Sequence, residues 1–325
     1  MIDILALDPL PAAVQAGVAA PPFILHQLPA GDDHARRLAE IGPRIRALAR
    51  GGHAHIGRAL IERLPALEII ASFGVGYDGI DVVAAAEHGV IVTNTPDVLT
   101  EEVADTALGL LLMTVRELSA AERYLRAGQW PAGGPYPLTP SLRDRTVGIV
   151  GLGRIGMAIA RRLDAMHVRV VYHSRRARTD APYRHYDDLR AMAVDVDVLL
   201  AIVPGTAATR HLVNASILEA LGPDGIFINV GRGSVVDEAA LVSALKDGTI
   251  RSAGLDVFAN EPHVPAELMA LPNAVLLPHV GSASVHTRTA MGQLVVDNLR
   301  SWFQDGKPLT PVSETPWPAQ PGQRR

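Results

Sequence analysis

The sequence predicts an α/β protein of two domains, one of them built on a doubly wound parallel sheet. Three observations predict it. The chain has 325 residues, enough for two separate cores. It is 48 % hydrophobic but only 4 % aromatic, a composition suited to helices layered on a parallel sheet. And short β-branched runs alternate with helical periodicity along its whole length.

The clearest stretch is residues 146–163, TVGIVGLGRIGMAIARRL. A β-branched run, Thr146–Val150, meets Gly151-Leu152-Gly153-Arg154-Ile155-Gly156, after which Ile155, Ile159 and Leu163 recur on one helical face. That is strand, glycine turn, helix. A dinucleotide site requires a tight turn at the first glycine, a bare backbone at the second so that pyrophosphate can approach, and close helix packing at the third. The phosphate charge then faces the free N–H groups of the helix start. Without its flanking strand and helix, the same glycine pattern would be an ordinary βα turn.

In chain order, residues 2–7, 23–25, 69–72 and 90–93 read as short buried strands, separated by helical stretches at 35–48 and 80–87. The turn Phe73-Gly74-Val75-Gly76-Tyr77-Asp78 carries two glycines able to expose backbone N–H groups, a means of holding a carboxylate. Taken alone, without a partner domain, it reads better as a plain strand-to-helix turn. A long helix follows, with Thr100 as N-cap, Glu101 and Glu102 in its first turn, and Val103, Leu110, Leu111 and Leu118 on a buried stripe. Residues 128–140, GQWPAGGPYPLTP, are too rich in breakers for regular structure and read as an arm across another surface. Further strands are expected at 168–172, 198–203, 225–230, 254–257 and 274–277, with Asp237 capping a helix that Gly248 stops. From about Ser284 a last helix carries Met291, Leu294, Val295 and Leu299, and residues 311–325 read as a loose tail.

Composition excludes several classes. A formal charge of -4 offers no basic field for nucleic acid and no polybasic membrane surface. With no cysteine there is no disulfide, thiolate metal site or thiol chemistry. The first residues lack a basic n-region and carry Asp3 and Asp8 within the apolar stretch, so they read as a strand and not a signal peptide. LGLLLM at 108–113 is too short to span a bilayer. A soluble, cytoplasmic protein is expected, with no nucleic-acid or membrane partner. No HExxH and no carboxylate cluster at ligand spacing is present, so no metal is expected.

The strand after the glycine turn ends in Tyr172-His173-Ser174-Arg175-Arg176. A NAD-specific site places an acid there, roughly 20 residues past the glycines, to bond the ribose 2′-OH. Here a hydroxyl and two guanidinium groups stand instead, which suit a 2′-phosphate. NADPH is therefore expected over NADH, the alternative being a solvated loop that accepts either.

Three further segments end strands with one polar residue each: Asn229-Val230-Gly231-Arg232-Gly233, Asn260-Glu261-Pro262 and Pro278-His279-Val280-Gly281-Ser282. Ligands of open α/β sheets bind outside the carboxyl ends of strands, so the three can converge there. Arg, Glu and His then form a complete set for a 2-oxo acid: a cation for carboxylate and carbonyl, a proton donor, and a carboxylate favouring the imidazolium. Singly, each reads as a surface or turn residue. Their succession behind a dinucleotide site is what gives them meaning.

GLGRIG, NVGRGSVVDEAAL, AGLDVFANEP and LLPHVGSAS, in that order, resemble the consecutive signatures of the D-isomer-specific 2-hydroxyacid dehydrogenases. SFGVGYDGID and NTPDVLTEEVAD extend the resemblance upstream, so it covers all but the extreme N-terminus and the tail. Within the family the chain is most similar to the glyoxylate/hydroxypyruvate reductase group, including plant-type hydroxyphenylpyruvate reductases. The resemblance implies a Rossmann-type cofactor domain at residues 99–285, and a smaller flavodoxin-like substrate domain at 1–98 and 286–325. It implies that Arg232 holds the substrate carboxylate and carbonyl, that His279 is the general acid of reduction, and that Glu261 pairs with His279. The backbone of Val75 and Gly76 would bind the carboxylate from the other domain, closing the cleft. Asp256 would face the nicotinamide, and Thr106, Pro204, Val230 and Gly281 would join Gly151 to Gly156 and Ser174 to Arg176 around the cofactor. A homodimer through the cofactor domains, with 128–140 as its arm, is implied as well. Val280 replaces an alanine common in the family. Formate dehydrogenases carry glutamine at the place of Glu261, which disfavours that activity.

The function expected is NADPH-dependent reduction of glyoxylate or hydroxypyruvate to the D-2-hydroxy acid. Bulkier acids such as hydroxyphenylpyruvate or 2-ketogluconate present the same carboxylate and carbonyl and stay open as alternatives. A nucleotide-sensing corepressor on the same fold would not need the complete set of Arg232, Glu261 and His279.

Overall fold

The computed structural model describes residues 1–28, 33–52 and 54–318. The chain forms two compact units, Met1–Leu99 with Ser284–Arg325, and Thr100–Ala283.

The first unit holds β1 (Ile2–Ala6), β2 (Phe23–Gln27), β3 (Ile45–Arg50), β4 (Ile69–Ser72) and β5 (Ile91–Thr93). They pair in parallel in the order β2-β1-β3-β4-β5, the flavodoxin-like order. β3 corrects the sequence reading, which extended a helix across 35–48. The helix ends at Ile41, and Gly42-Pro43 begins a short 3₁₀ turn. Ile45 and Leu48 have helical spacing, yet pairing with β1 and β4 on both sides overrides it. Asp81 caps the helix Val82–Glu87, its carboxylate accepting from the Ala84 amide. Ser284 likewise caps the long helix Val285–Asp305, which runs along β4 and the helix Ala12–Val18.

The chain after that helix is not loose through residue 318. Pro311 pairs antiparallel with Thr93, the Val312 amide donates to Val92 O at 2.9 Å, and the Val92 amide donates to Thr315 Oγ1 at 2.9 Å. Val312 and Thr315 are buried. Backbone pairing with the edge of β5 fastens a segment whose composition alone suggested disorder. Residues 319–325 of the expected tail lie outside the described residues.

The second unit holds β6 (Thr146–Val150), β7 (Arg169–His173), β8 (Arg184–Tyr186), β9 (Val198–Ala201), β10 (Ile226–Asn229), β11 (Ser252–Leu255) and β12 (Ala274–Leu276). All pair in parallel, in the order β12-β11-β10-β9-β6-β7-β8. The order reverses between β6 and β9, the switch point at which doubly wound sheets bind ligands. Alternate residues enter opposite cores: Ile226 and Ile228 pack with the helices Thr100–Val115 and Arg154–Ala165, whereas Phe227 packs with helices from residues 189–246. β8 escapes a sequence reading because its three residues, Arg-His-Tyr, form a polar edge strand.

Two local readings are corrected here. Leu118 starts a separate helix, Leu118–Arg126, and is exposed, because Glu117 turns the chain with φ 50°. Residues 128–140 include one short helix, Gln129–Gly133, while Trp130 and Leu138 stand exposed. Among the described residues no helix is long and apolar enough to cross a membrane, and no group of three or more His, Asp or Glu could hold a metal ion.

Candidate active site

The parallel pairing of β6, β9, β10, β11 and β12 brings the chain out at one edge of the sheet five times in adjacent positions. At β6 the exit is the glycine turn. Gly151 has φ 101°, and a Cβ there would press on Val203 Cγ1 at 2.6 Å and Ile202 O at 2.8 Å. A Cβ on Gly156 would overlap the Gly151 carbonyl oxygen, so helix and turn can meet only without a side chain. At Gly153, by contrast, a Cβ would meet nothing within 4 Å. Gly153 is the N-cap of Arg154–Ala165 and offers no side-chain cap, which leaves the first amides of a 12-residue helix facing that open space. A bare backbone, open space and a positive helix end together fit a dinucleotide pyrophosphate. Leu152 and Ile155 pack into the core, while Arg154 is exposed.

β7 ends one step along the sheet. Ser174 Oγ donates to Arg176 O at 2.7 Å, and Arg175 and Arg176 are exposed, with no ion-pair partner among the described residues. Arg178, absent from the sequence reading, ties this loop to the glycine turn. Its guanidinium donates to Leu152 O at 2.9 Å, and its amide donates to the buried Tyr172 hydroxyl at 2.8 Å. Nothing in its local sequence marks that role.

On the other side of the switch point, exposed Pro204 follows β9, and its carbonyl accepts from Thr209 Oγ1. β10 exits through the buried Asn229. Asn229 Oδ1 accepts from the Gly231 amide at 3.1 Å and its Nδ2 donates to Arg232 O at 3.0 Å, shaping the turn that presents Arg232. Val230 is buried, and Gly233 is required because a Cβ there would collide with the Phe258 backbone. Arg232 Nη1 donates to Gly231 O at 2.8 Å.

β11 supplies Asp256 and Glu261, and β12 supplies His279. Asp256 is 1 % exposed; its two oxygens accept from the Val280 and Gly281 amides, both at 2.8 Å. Burial pushes its carboxyl above the ordinary value, against the lowering effect of the two amides. The two oxygens of Asp256 hold the chain immediately after His279. That grip sustains His279 at φ 54°, a left-handed conformation unusual outside glycine. Thr106 Oγ1 secures the same loop by donating to Gly281 O at 3.1 Å.

His279 Nδ1 lies 2.6 Å from Glu261 Oε2, and Glu261 Oε1 accepts from the Phe258 amide at 3.0 Å. Burial pushes the Glu261 carboxyl up, but the His279 bond, the Phe258 amide and the charges of His279 and Arg232 hold it below its ordinary value. An ionised carboxylate only accepts, so Nδ1 carries the hydrogen that lies between the two groups. In the first unit, the amides of Val75 and Gly76 donate to no partner among the described residues.

A family model for the NAD-binding domain of D-isomer specific 2-hydroxyacid dehydrogenases matches residues 108–281. A glyoxylate/hydroxypyruvate reductase A from Arabidopsis thaliana is 48 % identical over 268 residues, covering 82 % of this chain and 85 % of that protein. A hydroxyphenylpyruvate reductase from Plectranthus scutellarioides is 47 % identical over 269 residues, with 82 % and 85 % covered. Among solved structures, an NADPH-dependent glyoxylate/hydroxypyruvate reductase from Sinorhizobium meliloti, in complex with NADP and malonate, superposes with a TM-score of 0.92. It is 53 % identical, over 97 % of this chain and 98 % of that one.

Proposed function

The chain belongs to the D-isomer-specific 2-hydroxyacid dehydrogenase family and is an NAD(P)-dependent oxidoreductase, and from that premise we propose that it reduces glyoxylate and hydroxypyruvate to their D-2-hydroxy acids with NADPH. The observation that carries this reading is the 2.6 Å pair of Glu261 and His279, which follow β11 and β12 at the same edge of the sheet as the glycine turn.

The nicotinamide, when bound, supplies the hydride. The protein's own groups do the rest. Arg232 anchors the substrate carboxylate and draws electron density from the carbonyl oxygen. In the first unit, taken by itself, the Val75 and Gly76 amides are proposed as donors to a substrate carboxylate. Glu261 holds the imidazole by Nδ1, so that Nε2 delivers a proton to the oxygen that becomes the hydroxyl, and takes one back in oxidation. Asp256, through the Val280 and Gly281 amides, keeps the imidazole where that transfer occurs.

NADPH is favoured because Ser174, Arg175 and Arg176 stand where an acid would bond a free ribose 2′-OH. The similar Sinorhizobium meliloti enzyme is named NADPH-dependent. A homodimer is supported by the helix Leu118–Arg126, which buries none of its residues, and by exposed Leu125, Trp130 and Leu138 nearby.

The test is a panel of initial rates with NADPH and NADH on glyoxylate, hydroxypyruvate, hydroxyphenylpyruvate, pyruvate and 2-ketogluconate. Fastest turnover with NADPH on the first two acids supports the reading. Preference for NADH overturns the phosphate argument and leaves the catalytic set standing. Preference for hydroxyphenylpyruvate or 2-ketogluconate overturns the small-acid assignment, and cofactor binding without turnover on any acid favours a sensor.

A further inference from the structure

The turn at 73–78 is held almost everywhere except at the two amides proposed to take the substrate carboxylate. The Phe73 amide donates to Arg50 O at 2.9 Å, and the Gly74 amide donates to Thr95 Oγ1 at 3.0 Å. The Thr95 amide returns a bond to Gly74 O at 2.9 Å. Asn94 Nδ2 donates to Val75 O, also at 2.9 Å. That last bond matters most. The Val75 carbonyl and the Gly76 N–H belong to one trans peptide plane and point in opposite directions, so fixing the oxygen fixes the direction of the N–H.

Asn94 is itself fixed from the far end of the chain. Its carbonyl accepts from Thr310 Oγ1 at 2.6 Å, and its amide donates to Thr310 O at 3.3 Å. Thr310 is in turn organised by Asn298, which sits on the helix Val285–Asp305 with 0 % exposure. Asn298 Oδ1 accepts from the Leu309 and Thr310 amides, both at 3.0 Å. Its Nδ2 donates to Thr310 Oγ1 at 2.9 Å and to Leu294 O at 2.8 Å. Both hydrogens and both acceptor sites of this buried amide are used. Such a network has one satisfied arrangement, and each broken link leaves a polar group stranded.

We propose that Asn298 and Thr310 are positioning residues for the substrate carboxylate, acting through Asn94 on the Val75–Gly76 peptide. The segment after the last helix thereby sets substrate affinity without touching substrate. The proposal rests on the reading that the Gly76 amide binds the carboxylate.

Thr310→Val removes the hydroxyl while keeping the shape, and Thr310→Ser restores it. Steady-state kinetics with NADPH, on the panel acid that wild type turns over fastest, should give Thr310→Val a KM for that acid raised roughly tenfold, the scale of one misplaced hydrogen bond. The KM for NADPH and kcat at saturation should stay within twofold, and Thr310→Ser should return the acid KM to near wild type. If Thr310→Val does not fold, Thr310→Ala removes the same hydroxyl and is judged identically. A lowered melting temperature with an unchanged acid KM overturns the proposal and leaves the network merely structural. Gly76→Pro, which deletes the N–H itself, tests the underlying reading. An unchanged acid KM in Gly76→Pro sinks the carboxylate assignment whatever Thr310 does. A raised KM in Gly76→Pro beside an unchanged one in Thr310→Val sinks only the positioning role.

Discussion

Glu261 Oε2 and His279 Nδ1 meet at 2.6 Å, joining the segments that follow β11 and β12 through two residues 18 apart in sequence. The carboxylate fixes both the tautomer and the ring plane of the histidine. Replacing Glu261 by Gln keeps the shape but removes the charge-assisted bond, and kcat/KM for reduction should fall on the order of 10- to 100-fold. The same variant reads out in stability. Glu261 is held below its ordinary value of 4.5, so its contribution is present above pH 4.5 and is lost as pH falls through its lower folded value. Wild type should therefore be more stable than Glu261→Gln at neutral pH, with the gap closing under acid, as followed by chemical denaturation at several pH values. A gap that widens on acidification would contradict the assignment.

His279→Ala should remove the proton donor and leave the glycine turn untouched. Turnover should drop about 10²–10⁴-fold, while NADPH binding, followed by fluorescence titration, stays within twofold. Turnover at the wild-type level would dismiss the general-acid role.

Asp256→Ala strands the Val280 amide and the buried Gly281 amide and releases His279 from its φ of 54°. A loss of about 1–3 kcal/mol per stranded donor is expected, with a fall in kcat out of proportion to any change in cofactor affinity. Thermal melts and single-turnover rates together separate the two effects.

Gly153 and Gly156 answer differently to the same methyl group. Gly156→Ala drives a Cβ into the Gly151 carbonyl and should destabilise the fold by ~1–3 kcal/mol. Gly153→Ala meets nothing within 4 Å and should melt like wild type, yet raise the KM for cofactor by obstructing the pyrophosphate. Equal melting losses in both would show that the space beside Gly153 is not a ligand's.

Replacing Arg175 and Arg176 together by alanine should raise the KM for NADPH roughly tenfold or more and leave that for NADH unchanged, since only a 2′-phosphate uses their charge. Parallel changes for both cofactors would locate the arginines outside the 2′ site.

Where periodicity and glycine chemistry are local, the sequence was sufficient. The strand, glycine turn and helix from Thr146 onward, the cap at Asp237 and the long helix from Ser284 all follow from residues within a few positions of one another. The order of Arg232, Glu261 and His279 behind successive strands was equally legible, because a parallel sheet forces successive strand ends to one edge. The tertiary structure decided what depends on distant partners. β3 is a strand because β1 and β4 flank it, although its own residues repeat with helical spacing. Asp256 serves the His279 loop because β12 lies beside β11. Arg178 reaches Leu152 because β7 lies beside β6. Residues 309–315 are held by Asn298 and the edge of β5, contacts no local pattern announces. Backbone propensity acts over a few residues, whereas a hydrogen bond needs only that two groups meet, and which groups meet is settled by the sheet.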